Sequence, residues 1–359
     1  MTNDDLFSIS PFSLCKEEKT RILTSKLKDL TAFHRSHCEI YRDVTDALGW
    51  DPDAVKSQSD IPFIPVRMFK NHELLSVPRS EIFKTMTSSG TTGQRVSKIF
   101  VDRQTGMEQQ KALIRIMSDF VGKKRLPMLI IDSPEVVKNR SMFSARGAAI
   151  LGLRMLATEA TYALTPKMEL DLKAVDAFLS RHAEGPFLCF GFTFMVWHHL
   201  YETLREKGMK LDLSRAHLIT GGGWKKLVSL NISGKAFRDA IHSSCGISSF
   251  IDHYGMVEQT GCIYAQCPCG HLHASVFSDV IMRRPQDFSE CAIGEEGIIE
   301  VVSVLPHSYP GHALLTEDQG VLLGEDDCPC GRKGKYFKVT GRLKSAELRG
   351  CSDTYAAGF

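Results

Sequence analysis

Hydrophobic positions in residues 16–49 recur three to four apart: Leu23, Leu27, Leu30 and Phe33 line one face, which predicts helix. The same period predicts helices over 103–120, 170–182, 195–207 and 233–242. Between them lie short apolar runs at 127–133, 187–194 and 216–220, which read as buried strands. Residues 148–163 mix the two signals. Ile61-Pro-Phe-Ile-Pro-Val is extended and interrupted by prolines. Strands that alternate with helices predict an α/β class with a largely parallel sheet in the middle of the chain. From Gly261 onward the pattern changes to short strands and Gly/Pro turns, a β-rich part over about 261–340.

Length and charge narrow the function classes. The chain has 359 residues, enough for two to three ordinary domains or one large α/β body. It is 43% hydrophobic and 24% charged, which fits a globular protein and excludes disordered, collagen-like and coiled-coil chains. Lys+Arg 44 against Asp+Glu 42 gives no electrostatic sign of nucleic acid or an anionic membrane. The most apolar stretch, 186–197, is too short to span a bilayer and reads as a buried strand and turn, so no transmembrane segment is expected. The first residues are acidic and carry no apolar secretory core. The expectation is therefore a cytoplasmic protein whose thiols stay reduced. Its 11 cysteines are then packing residues, metal ligands or nucleophiles.

Thr87-Ser88-Ser89-Gly90-Thr91-Thr92-Gly93 concentrates hydroxyls and flexible glycines in seven residues. Backbone N–H groups and Ser/Thr hydroxyls in such a loop can wrap phosphate oxygens. No Gly-Lys-[Ser/Thr] follows, so it is not a Walker A loop. On composition alone a plain surface loop is the more ordinary reading. The residue order, however, resembles the phosphate loop of the adenylate-forming superfamily (acyl-CoA ligases, luciferases and nonribosomal adenylation domains). Lys98 follows, and the resemblance implies a phosphate contact for it. Other segments occur in the superfamily's order. Thr220-Gly-Gly222-Gly223 resembles the glycine stretch that backs adenine. Tyr254-Gly-Met-Val-Glu258 resembles the YGxTE motif, with Val257 in place of Thr. This implies that Tyr254 packs near adenine and that Glu258 holds Mg²⁺ at the phosphates, as a hard cation prefers carboxylate oxygen. Leu315-Thr-Glu-Asp318 resembles the segment whose Asp binds the ribose hydroxyls, and Gly341-Arg342 the pair at the superfamily's hinge. Each match alone is weak; five in order over about 250 residues are specific. The implied chemistry is ATP-dependent activation of a carboxylate.

Typical superfamily members carry a further mobile C-terminal domain. Here 18 residues follow Gly341, so the expectation is that this domain is absent. The segments Leu6-Phe-Ser-Ile-Ser, Pro62-Phe-Ile-Pro-Val-Arg-Met-Phe-Lys70, Phe190-Gly-Phe-Thr-Phe-Met-Val-Trp197 and Arg349-Gly-Cys351-Ser-Asp353 resemble the LuxE-type acyl-protein synthetases. These are the fatty-acid-activating subunits of long-chain fatty acid reductase complexes. The resemblance implies that Cys351 accepts the acyl group from the adenylate and that the tail carries it to an acyl reductase. A thiolate is a strong nucleophile, and its thioester stays activated. Phe190, Phe192, Phe194 and Trp197 are either acyl-pocket or core residues.

Cys267-Pro-Cys-Gly270 and Cys328-Pro-Cys-Gly331 are identical tetrapeptides, and His271 and His273 follow the first. Paired cysteines on two glycine-containing knuckles suit a closed tetrahedral Zn²⁺ site. On spacing alone the set reads as four cysteines. The segment also resembles phenylacetate-CoA-ligase-like proteins, which implies Cys267, His273, Cys328 and Cys330, with Cys269 as the rival to His273. Four protein ligands leave no open position, so this zinc would be structural.

The expected fold is α/β, of the adenylate-forming large-domain type, with a β-rich zinc-binding part and no mobile C-terminal domain. Residues 1–340 form the adenylating domain, and residues 341–359 the acyl-carrying tail. ATP, Mg²⁺ and structural Zn²⁺ are the expected cofactors. A fatty or other carboxylic acid is the substrate, an acyl reductase the protein acceptor, and an oligomer is compatible. A ligase forming a CoA thioester and a non-catalytic adenylate-binding subunit are the alternatives.

Overall fold

The computed structural model describes residues 3–88, 96–137, 145–222, 227, 230 and 232–343. In chain order the strands are β1 (Ile64–Pro65), β2 (Ile82–Thr87), β3 (Lys98–Asp102), β4 (Leu126–Ile130), β5 (Ala157–Tyr162), β6 (Phe187–Phe192) and β7 (Ala216–Gly221). They continue as β8 (Ser249–Tyr254), β9 (Tyr264–Gln266), β10 (Leu272–His273), β11 (Ser278–Arg283), β12 (Glu296–Ser303), β13 (Ala313–Glu325) and β14 (Lys335–Arg342). The described residues divide into two compact units. One draws on Met1–Thr87, Arg95–Ile116 and Gly255–Glu347, and the body of the other is Met117–Tyr254.

The second unit holds the parallel strands, in the order β8-β7-β6-β4-β5. Helices Ala145–Leu153, Leu172–Arg181 and Gly234–Cys245 cross over between them. All six residues of β6 are buried, which explains why Phe187–Phe192 is a continuous apolar run rather than an alternating one. The strand stops two residues short of the apolar run, because Thr193 already starts the next helical segment. That segment opens into a π-helix over Val196–Glu202 before closing again at Thr203–Glu206. Asp171 and Ser233 cap two of the helices through their side chains, and Gly246 ends the last at φ 73°, where a Cβ would be strained. The mixed signal over 148–163 resolves into the end of helix Ala145–Leu153 followed by β5.

The first unit is built on an antiparallel sheet in the order β11-β12-β13-β14-β10-β9. The proline-broken segment supplies β1, which pairs parallel with β13 through Ile64↔Leu314 and Pro65↔Leu315. Strands β2 and β3 form a separate antiparallel pair. The helical pattern over 16–49 becomes two helices, Lys16–His37 and Glu39–Ala47. Cys38 is extended (φ −126°, ψ 103°) between them, and this bend lets Tyr41 and Thr45 bury as well as Leu23 and Leu27.

Two buried polar groups fasten the first helix. Lys19 Nζ lies 3.4 Å from the carboxylate of Asp279, which also accepts from Gln58 Nε2 at 2.8 Å and has Lys335 Nζ at 3.4 Å. His34 stacks on His312 with ring centroids 4.9 Å apart. His312 Nε2 lies 2.9 Å from Thr31 Oγ1 and 3.2 Å from Tyr41 OH. Burial keeps both imidazoles neutral, with His312 pushed down to about 3. Among the described residues, no helix is long and apolar enough to cross a membrane.

Candidate functional site

In the second unit the expected adenine-facing residues sit at the carboxyl ends of neighbouring parallel strands. Thr220 pairs with Asp252 and Gly221 with His253 across β7 and β8. Gly222 follows at φ 63°, and Tyr254 ends β8. Ligands of open α/β sheets bind at that edge. Thr220 Oγ1 donates to Asp252 Oδ1 at 3.2 Å, and the His253 backbone N–H donates to the same oxygen at 3.0 Å. The His253 ring lies flat against Gly221: a Cβ there would come within 2.3 Å of its Cε1. Burial lowers His253 to about 4, so this ring is uncharged at neutral pH.

In the first unit β2 and β3 flank the hydroxyl-rich loop, with Thr87 opposite Lys98. Ser88 is half-buried and Lys98 exposed at the foot of the hairpin. Ser89, Gly90, Thr91, Thr92 and Gly93 lie outside the described residues, as do Gly223 and Cys351. Glu258 is buried in a short 3₁₀ turn, Val257–Gln259. The Gln259 side chain holds that turn by donating to Gly311 O at 3.0 Å and Val301 O at 3.2 Å.

Asp318 and Arg342 are cross-strand partners on β13 and β14, with Arg342 Nε 3.6 Å from Asp318 Oδ1. The residue between them in effect is Glu317. Its carboxylate, 8% exposed, accepts from Arg342 Nη2 at 2.5 Å and pairs with Arg67 Nε. Its backbone carbonyl accepts from Leu343 N at 2.9 Å. The two guanidinium groups hold Glu317 below the usual carboxylate range against the opposing effect of burial. Nothing in the sequence marks Arg67 or Glu317 as partners, since 250 residues separate them; the β1–β13 pairing brings them together.

The metal-type residues converge. One donor atom from each of Cys267, His273, Cys328 and Cys330 lies within 4.8 Å of the others. Cys267 Sγ and Cys328 Sγ are 3.9 Å apart, and Cys330 Sγ is 3.4 Å from His273 Nε2. A tetrahedral zinc with bonds of about 2.3 Å to sulfur spaces its thiolates about 3.8 Å apart, so this donor set fits that ion. The twin tetrapeptides adopt the same turn: Gly270 N donates to Cys267 O at 2.8 Å, Gly331 N to Cys328 O at 2.9 Å, and both glycines have φ 82°. That left-handed value explains the glycine at the end of each. Cys269 is exposed and outside the group. His271 Nδ1 lies 3.2 Å from Cys328 Sγ. Burial, with Arg332 adding, lowers His273 to about 4, which leaves the neutral imidazole a metal needs. Of the remaining thiols among the described residues, Cys38, Cys189, Cys245, Cys262 and Cys291 are buried and Cys15 is exposed.

The family model described as acyl-protein synthetase, LuxE, matches residues 1–359. A long-chain-fatty-acid–luciferin-component ligase of Vibrio harveyi is 22% identical over 369 residues, covering 99% of this chain and 93% of that protein. The ligase of the same name from Aliivibrio fischeri is 23% identical, covering 98% and 92%. Among solved structures, a 2-hydroxyisobutyryl-CoA ligase in an open conformation with its acyl-AMP and CoA superposes with a TM-score of 0.73. That likeness spans 94% of this chain and 72% of the other at 17% identity, and it is a likeness of fold. The α/β architecture is thus that of the adenylate-forming ligases, and the chain belongs to the LuxE family of acyl-protein synthetases.

Proposed function

We propose that this protein activates a long-chain fatty acid with ATP and transfers the acyl group to its own Cys351. The match of the acyl-protein synthetase family to residues 1–359 carries the proposal. In the first step a carboxylate oxygen bonds to the α-phosphorus of ATP and pyrophosphate leaves, giving acyl-adenylate. In the second, the Cys351 sulfur bonds to the acyl carbon, AMP leaves with the C–O bonding pair, and the thiol proton passes to solvent. The thioester then serves an acyl reductase partner.

The residues divide this work as follows. Ser88, Ser89, Gly90, Thr91, Thr92 and Gly93 give hydroxyl and amide donors to the phosphates, with Lys98 as a cation beside them. Gly222, Gly223 and Tyr254 form the adenine platform. Asp318 accepts from the ribose hydroxyls, and Glu317 fixes Arg342 beside it. Glu258 is the carboxylate ligand for Mg²⁺, which when bound neutralises phosphate charge. Cys267, His273, Cys328 and Cys330 hold a structural zinc that pins two loops of the antiparallel sheet.

Intact-mass spectrometry after incubation with ATP, Mg²⁺ and a panel of carboxylic acids tests the reading. A mass gain equal to the acyl group is expected with a long-chain acid, removable by hydroxylamine. Cys351→Ser keeps acid-dependent ATP–pyrophosphate exchange and loses the mass gain. Retention of the acyl mass in that variant refutes Cys351 as acceptor. The fold likeness to a CoA ligase gives the second reading, a CoA thioester product; consumption of free CoA with Cys351 dispensable selects it.

A further inference from the structure

Beyond the residues above, the carboxyl edge of the parallel sheet holds a second group of buried polar side chains. Asp132 lies just past β4 and is 2% exposed. Its Oδ1 accepts from Ser133 N at 2.7 Å, and its Oδ2 faces Arg146 Nε at 3.0 Å. Arg146, near the start of helix Ala145–Leu153, is 8% exposed, and its Nη1 is buried without a hydrogen-bond partner among the described residues. Thr193, the first residue after β6, is fully buried, and its hydroxyl is likewise without a partner. Because Ile130 pairs with Phe190, Asp132 falls level with Phe192, one residue before Thr193, at the ends of adjacent strands. His199, in the π-helical segment, is buried and is held neutral, at about 4, by burial and then by His198, so it adds no charge there.

Buried donors in native proteins are rarely left unpaired, and a guanidinium is costly to bury half-satisfied. The Asp132 carboxylate pairs with the Nε side of Arg146 and leaves Nη1 without a partner among the described residues. An oxyanion that entered here would meet the planar donor face that suits carboxylate or phosphate. Sheet order favours the carboxylate. β4 and β7 are two strand positions apart, about 10 Å, so a group on Arg146 sits beside, not on, the Gly221–Gly222 and Tyr254 edge.

We propose that Arg146, oriented by Asp132 and assisted by the Thr193 hydroxyl, binds the reacting carboxylate of the acid substrate and aims it along the sheet edge toward the nucleotide. This rests on the adenylating function proposed above. The site deals with an anion, so it distinguishes acids from alcohols or aldehydes of the same chain.

ATP–pyrophosphate exchange measured against acid and against ATP tests it. For Arg146→Gln the acid KM rises roughly 10- to 100-fold, the loss of one charge-assisted contact, while the ATP KM of the folded variant stays within about twofold; the thermal midpoint falls, because Asp132 loses its buried partner. Arg146→Lys, which keeps the charge, gives a smaller rise, and Thr193→Val a few-fold rise. Competition binding adds a readout independent of turnover. Wild type prefers the acid over the alcohol of equal chain length, and Arg146→Gln erases that preference. An unchanged acid KM and preference overturn the inference, as does a rise in the ATP KM alone, which would place a phosphate on Arg146. If Arg146→Gln does not fold, the Lys and Val variants decide by the same readouts. Absence of acid-dependent exchange in wild type would instead defeat the adenylating function itself.

Discussion

The stacked pair His34–His312 makes a quantitative prediction about stability. His312 is fully buried, and its pKa falls from the ordinary 6.5 to about 3. The Thr31 hydroxyl donates to Leu27 O at 2.8 Å, so its oxygen accepts from His312 Nε2–H. Nδ1 then keeps a buried lone pair without a partner, and a proton there would be an unpaired charge. The folded pKa is depressed, so the unfolded chain binds the extra proton. Its contribution is complete above 6.5 and is lost as pH falls through 6.5 toward 3. Between pH 6.5 and pH 5 that loss is 1.5 pH units at about 1.36 kcal/mol each, roughly 2 kcal/mol. The perturbation is His312→Gln, which retains an N–H for Thr31 and Tyr41 but cannot titrate. At pH 7.5 the variant is less stable than wild type by about 1–3 kcal/mol. Toward pH 5 the gap closes by about 2 kcal/mol, because every other titrating group is common to both proteins. Urea midpoints and slopes at pH 7.5, 6.5, 5.5 and 5.0 measure it. A gap that stays constant within about 0.5 kcal/mol over this range refutes the assignment of a buried, neutral His312.

Two further predictions concern the sites. Purified protein contains close to one zinc per chain by elemental analysis, and chelation or Cys328→Ser lowers the thermal midpoint while Cys269→Ser, at an exposed thiol outside the cluster, does not; metal-free protein with an unchanged midpoint contradicts this. Gly221→Ala places a Cβ 2.3 Å from the His253 ring, so the ring must move. The expected cost is about 1–3 kcal/mol, with a raised ATP KM in pyrophosphate exchange, and a variant equal to wild type in both denies that packing a role.

Much of this was legible in the sequence because the signals were local. The buried strand Phe187–Phe192 shows itself as an unbroken apolar run, and the two Cys-Pro-Cys-Gly turns as a repeated word. The choice between Cys269 and His273 was not local: it depended on which side chain the β10–β14 pairing, with His273 opposite Tyr336, turns toward Cys328 and Cys330. The break at Cys38 was hidden because both flanking segments are helical, and only tertiary burial of Tyr41 separates them. Arg67, Glu317, Asp132 and Arg146 were illegible for the same reason. A charged residue in a sequence reads as surface, and only the tertiary fold brings its partner beside it, through the β1–β13 pairing for Arg67 and Glu317 and through helix Ala145–Leu153 for Asp132 and Arg146.

The hydrogen bond from Leu343 N to Glu317 O, with the Arg342–Glu317 pair, fixes the end of β14 beside Asp318. Cys351 is eight residues further along the chain. Covalent geometry limits those residues to about 28 Å of reach from Leu343. On the function proposed above, a thiol free to sample a sphere of that radius would have an effective concentration on the order of 20 mM. At that level an acyl-adenylate formed near Asp318 would meet the chain's own cysteine far more often than a freely diffusing thiol at micromolar concentration, so the anchor at Glu317 would act as a selector of acceptor.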